Sequence, residues 1–147
     1  MGYRNVNWGY GGSGTGAALD FGTSAGRWAV AYVALSPGQT LTSVGDGVDT
    51  LTLRNSGTGV GGQTVFMLAG AITSTGTRTL TAVTSGGVIV LLVAAFDGIS
   101  DYRASSAAVG TVFGADTNQT IASAIDDDLL IQLGDDGGVG RTFSPNL

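Results

Sequence analysis

The chain has 147 residues, a net charge of −5, and no Cys, His, Lys or Glu, so eleven Asp and six Arg supply all of its side-chain charge. That excludes disulfides and thiolate or imidazole chemistry, and six Arg scattered at 4, 27, 54, 78, 103 and 141 give no basic stripe for a phosphate backbone, so nucleic acid is not an expected partner. A hydrophobic share of 43% calls for a packed core, and the length fits a single domain.

Gly at 26 positions, abundant Thr, Ser, Asp and Val, and missing Glu and Lys predict strands and tight turns rather than helices. Residues 1 to 16 combine Tyr3, Trp8 and Tyr10 with six Gly and are read as an N-terminal arm, either a free tail or one whose rings dock on a neighbouring subunit. The stretch has no apolar core of the kind a standard signal peptide needs, so none is expected. Residues 17 to 147 are read as one β-sandwich domain.

RWAVAYVAL at 27 to 35 is a strand with Trp28, Val30, Tyr32 and Ala34 on one face and Ala29, Ala31, Val33 and Leu35 on the other. Both faces are apolar, which predicts cover on each side and places Trp28 and Tyr32 in the core. SPGQ at 36 to 39 is a turn. A strand over about 40 to 44, the turn GDG at 45 to 47 and the alternating run VDTLTLR at 48 to 54 read as a hairpin. NSGTGVGG at 55 to 62 is a loop before the strand QTVFMLAG at 63 to 70, and TRTLTAV at 77 to 83 alternates again. VIVLLVAAF at 88 to 96 is the expected central strand; at nine residues it is too short for a membrane helix, which needs about 20, so no membrane span is expected. A longer connection then leads to weaker strands near 108 to 113, 118 to 124 and 128 to 133, and to a turn-rich tail. Many short strands with little room for helices predict an all-β, antiparallel Greek-key or jelly-roll-like sandwich.

GTSAG at 22 to 26 fits G-x-S-x-G, but Ser24 precedes a strand instead of joining a strand to a helix, and the chain has no imidazole or amine to serve as base. It is read as a turn. GTGVGG at 57 to 62 fits G-x-G-x-x-G yet opens a strand, so no dinucleotide site is expected. Asp97 and Asp101 are the carboxylate pair to inspect for acid–base work, although Asp at a strand end ordinarily makes a turn. Asp126 to Asp128, with Asp135 and Asp136, match no calcium-loop order and read as a solvated acidic rim. The N-x-T at Asn118 matters only in a glycosylating pathway. No enzyme activity, cofactor or metal is expected.

Several segments together resemble β-sandwich modules of bacteriophage structural proteins and of some bacterial surface proteins. Leu41, Thr42, Ser43, Val44 and Asp46 match the hairpin, Thr64 to Leu68 the middle strand, Thr79 to Val83 the Thr-rich strand, and Val88 to Asp101 the apolar strand with its loop; the likeness runs over about 25 to 133. It implies a structural protein located in the virion, most simply a capsid decoration protein, with a tail or fibre component as the other form. It also implies a homo-oligomer, a trimer by analogy, that contacts capsid or tail proteins. The competing expectation is a carbohydrate-binding or adhesin module. The rings expected to serve in contacts are Tyr3, Trp8, Tyr10 and Tyr102.

Overall fold

The computed structural model describes residues 2–9, 12–23, 27–59 and 61–99. Among them run eight strands: β1 (Gly2–Gly9), β2 (Gly16–Asp20), β3 (Arg27–Leu35), β4 (Leu41–Gly45), β5 (Thr52–Thr58), β6 (Thr64–Ala71), β7 (Thr77–Thr84) and β8 (Val88–Asp97). They make two antiparallel sheets, one in the order β1-β8-β3-β6-β5 and one in the order β2-β7-β4, and neither sheet closes into a barrel. The all-β expectation is met.

Period-2 alternation decides which side chains meet between the sheets. Ala29, Ala31, Val33 and Leu35 of β3, with Leu91, Val93 and Ala95 of β8, join Ala17 and Leu19 of β2, Val44 of β4, and Leu80 and Ala82 of β7 in one buried cluster. Leu19, Leu35, Leu80 and Leu91 are wholly covered there, each gaining roughly 1.5–3 kcal/mol from leaving water. The other face of the five-stranded sheet carries a second cluster, Val30, Ala69, Ala94 and Phe96, with Trp28 and Met67 against it. Two covered faces explain why β3 reads as an unbroken apolar run.

Four segments depart from the sequence reading. NSGT at 55 to 58, read as part of a loop, is the second half of β5, because its backbone pairs with β6 from Asn55↔Met67 to Thr58↔Thr64. Gly2–Gly9, read as part of an arm, is an edge strand of the chain's own sheet, paired with β8 from Gly2↔Asp97 to Gly9↔Leu91. GAALD, left without structure by the sequence reading, is β2, whose Ala17 and Leu19 enter the core. The hairpin expected over 40 to 54 closes only at its tip, through the bridge Gly45↔Thr50 and the bond from Leu51 N–H to the Val44 carbonyl; β4 then pairs with β7 and β5 with β6. Burial drives the separation, because Val44 and Leu51 both face the space between the sheets and a flat two-stranded ribbon would leave one side of each in water. The weaker strands expected beyond 108 lie outside the described residues.

Edge strands β1, β4 and β5 each shift register once, between Tyr3 and Asn5, Leu41 and Ser43, and Leu53 and Asn55. Such shifts twist an edge and interrupt its hydrogen-bonding row, which hinders a further strand from adding to it.

Leu80 stands at the centre of the smaller sheet and points at the larger one. Leu80→Ala is expected to lower unfolding free energy by about 2–5 kcal/mol in urea titration with an unchanged slope; a loss below about 1 kcal/mol would mean the sheets are not packed through this residue.

Candidate functional site

Two carboxylates, two hydroxyls and a guanidinium meet where the chain changes sheet between β4 and β5 and again between β6 and β7. Gly45-Asp46-Gly47-Val48-Asp49 makes the first crossing. Asp46 Oδ1 accepts the Val48 and Asp49 N–H groups at 2.9 and 2.7 Å, and Gly47 supplies the left-handed φ of 88° that the turn needs. A Cβ on Gly45 would strike the Asp49 carbonyl, so only glycine lets the two strands approach there.

The second crossing bonds to the first. Asp49 Oδ2 accepts the Thr73 and Ser74 N–H groups at 2.8 and 2.9 Å, and Asp49 Oδ1 accepts the Thr73 hydroxyl at 2.7 Å. The Ser74 hydroxyl sits between the two carboxylates, 2.8 Å from Asp49 Oδ2 and in close contact with Asp46 Oδ2. Having one proton, it donates to one of them at a time. Arg78 Nε, 3.3 Å from Asp46 Oδ2, brings the positive charge that lets two carboxylates share this site. Asp46 has no exposed side-chain surface, yet its cover is thin, so it lies just beneath the molecular surface.

Partial burial works to raise both carboxyls, but hydrogen bonds outweigh it. Ser74 and the Asp49 and Val48 amides hold Asp46 below its ordinary value of 3.8, against the opposing push of the Asp49 charge. Ser74 and Thr73, through amide and hydroxyl alike, hold Asp49 below the same value. Both groups therefore stay ionised near neutral pH, fit to accept hydrogen bonds and poorly fit to give or take a proton in catalysis.

The 72–76 connection also bonds to the start of β3 and to the residues just after β2. Ile72 N–H donates to the Arg27 carbonyl, Gly76 N–H to the Gly22 carbonyl, and Phe21 N–H to the Gly76 carbonyl. Arg27 itself is 5% exposed, and its guanidinium donates to the Phe21 and Gly22 carbonyls while its Nε has no hydrogen-bond partner. Arg54 donates to the Ala69 carbonyl at 3.3 Å and lies 5.9 Å from the centroid of the Trp28 ring.

A cleft of about 140 Å³ opens where β4 and β5 diverge, lined by Leu41, Ser43, Leu51, Leu53, Phe66 and Leu68 among others. Drug-sized ligands occupy roughly 300–1,000 Å³, so this one is small for an organic substrate. Among the described residues no group of three or more His, Cys, Asp or Glu could hold a metal ion, and no helix is long and apolar enough to cross a membrane.

Of the four rings expected to make contacts, Tyr3 and Trp8 belong to β1, in register with Phe96 and Leu92, while Tyr10 and Tyr102 lie outside the described residues. Ser24, Asp101, Asn118 and the acidic residues from 126 onward also lie outside them. Tyr32 is buried as expected, and Trp28 is half-buried. Sequence reasoning missed the Asp46–Asp49–Ser74 cluster because its halves are about 25 positions apart. D-G-V-D announces a turn, but nothing local announces what binds it. No protein-family model, curated protein or solved structure matches this chain.

Two outcomes follow from these bonds. Ser74→Ala removes the shared donor while leaving the Asp46 carboxylate covered, so it is expected to cost about 1–3 kcal/mol in chemical denaturation, against less than about 0.5 for Thr79→Ala on the exposed face of β7. Because Asp46 and Asp49 are depressed when folded, their contribution is complete above the unfolded value and disappears as pH falls through the folded one. The melting temperature should thus be flat from about pH 7 to 5 and fall below about pH 4, and Asp49→Asn should flatten that acid limb. An acid limb as steep in the variant as in the parent would show that the stabilising carboxylates are elsewhere.

Proposed function

We propose that the strands form a jelly roll and that the protein is a non-enzymatic structural component of a bacteriophage virion, a capsid decoration protein acting through contacts between subunits. The strand pairing supports the first part. β1 pairs with β8, β2 with β7, β3 with β6, and β4 meets β5 at its tip, so that Gly2 faces Asp97, Gly16 faces Thr81, Trp28 faces Ala71 and Gly45 faces Thr50, every pair centred near Asp49. A single long hairpin rolled over on itself pairs its arms in this nested way, and β3–β8 with β4–β7 are the neighbours that rolling adds.

The observation that carries the functional part is where the described charges go. Arg27, Arg54 and Arg78 all engage the chain's own carbonyls or carboxylate, and Asp46 and Asp49 engage its own hydroxyls and amides. Asp20 is exposed and accepts the Gly22 N–H, and the outward surface otherwise includes the apolar Val48, Leu53 and Val83 and the hydroxyl-bearing Thr77 and Thr79. A body of this kind acts by fitting neighbours, where many copies on a lattice turn weak contacts into firm attachment. Resemblance to phage β-sandwich modules supplies the kind of lattice, and a homo-oligomer, a trimer by analogy, is part of the same reading.

Particles produced from the genome that encodes this chain, with its gene deleted, are expected to lose heat stability and to regain it when the purified full chain is added. Rebinding should saturate at a fixed copy number per particle, read by sedimentation and gel densitometry. Particles unchanged in composition and heat stability by the deletion, or substrate turnover by the isolated chain, would overturn the proposal.

A further inference from the structure

We propose that the clasp around Asp46 is a chemical guard as well as a fastening, and that Asp46 is a latent modification site which the clasp protects from conversion to isoaspartate. An Asp-Gly pair is the sequence most prone to this reaction, since glycine has no Cβ to hinder attack by its own nitrogen. The Gly47 nitrogen bonds to Asp46 Cγ, one oxygen of the protonated carboxyl leaves as water with the N–H proton, and a cyclic succinimide closes. Water then reopens the ring at either carbonyl. Opening at the Asp46 α-carbonyl routes the main chain through the former side chain and lengthens it by one carbon. Asp49 carries less of this hazard, because the branched side chain of Thr50 crowds the attacking nitrogen.

Bulk does not stop the reaction, for Gly47 and Val48 are exposed and open space surrounds the Gly47 Cα. The carboxyl does. It has to be protonated before an oxygen can leave, and both Asp46 oxygens face donors that favour the ionised form: Oδ1 the Val48 and Asp49 amides, Oδ2 the Ser74 hydroxyl and Arg78 Nε. Attack also makes Cγ tetrahedral, which draws its oxygens off donors fixed in the turn and in the β6–β7 crossing. The product would undo the turn. An added main-chain carbon displaces the bond from Asp46 N–H to the Asp49 carbonyl, and a carboxylate attached directly to Cα falls one carbon short of Ser74 and Arg78. The guard is independent of the virion reading, since it concerns how one turn survives in water.

The test ages the full chain, folded in mildly acidic buffer and unfolded in guanidinium chloride, and reads isoaspartate at position 46 by peptide mapping with electron-transfer fragmentation. The folded chain is expected to accumulate it at least about tenfold more slowly, the factor that losing one charge-assisted bond on the way to attack represents. Ser74→Ala, checked as folded by circular dichroism, is expected to gain isoaspartate at least about fivefold faster than the parent. Arg78→Gln takes its place if Ser74→Ala does not fold. Leu80→Ala, which loosens the core without touching the clasp, is expected to stay near the parent's rate. Equal rates in the folded and unfolded chains would overturn the proposal. So would a clasp variant no faster than the parent, or Leu80→Ala as fast as the clasp variant, which would assign the protection to folding in general.

Discussion

The pairing in this molecule depends on one four-residue turn, Asp46 to Asp49, being held at the corner where the chain passes from one sheet to the other. Nested pairing makes the dependence physical. Each pair that closes shortens the loop the next must close, from β4 and β5 outward through β3–β6 and β2–β7 to β1–β8, so loop-closure entropy is met in small steps only if the tip forms. A hairpin tip alone is marginal in water, and its strands here part company after one bridge. Thr73, Ser74 and Arg78 compensate by gripping the tip from the β6–β7 crossing, so that both sheet changes are fastened to each other.

The same crossing also bonds, through Ile72 and Gly76, to the start of β3 and to Gly22 just after β2. Arg27 completes that junction from within: a guanidinium with 5% exposure is tolerable because two carbonyls of the preceding turn face it. Backbone amides, two carboxylates and one buried Arg therefore do at this end what disulfides do in many small β proteins, which a chain without Cys cannot call upon.

Much of this was legible in the sequence, and the rest was hidden for identifiable reasons. Period-2 alternation placed β3, β6, β7 and β8 within a residue or two, and assigned the two faces of β3 correctly, because alternation is set by a local geometry that burial only reinforces. β1 and β2 were missed since Gly, Asn and small residues are poor strand formers; their pairing with β8 and β7 overrides propensity. The parting of β4 from β5 was invisible because a turn signal such as GDG fixes the reversal and says nothing of which neighbour each arm will prefer further out. The carboxylate cluster belongs to the same class: Asp46 and Asp49 are adjacent in sequence, but their partners Thr73, Ser74 and Arg78 come beside them only once β6 and β7 have passed through both sheets.

How such a body meets its neighbours is constrained by its edges. β1, β4 and β5 are interrupted by register shifts, and in β1 and β5 the shift falls at Arg4 and Arg54, with the Arg54 head group drawn back over its own sheet toward Ala69 and Trp28. Continuing a sheet through β1, β4 or β5 would have to undo those features; β2, the fourth edge, keeps a regular register, and there Asn7 of β1 donates to the Ala18 carbonyl. In the proposed virion role, association would then use faces more readily than the β1, β4 or β5 edges. The hydroxyl-lined face of β7 sets exposed Thr77, Thr79 and Val83 beside the small residues Gly16 and Ala18 of β2. Val83 is the large apolar side chain exposed among them, so the face is mostly hydroxyl-bearing and small.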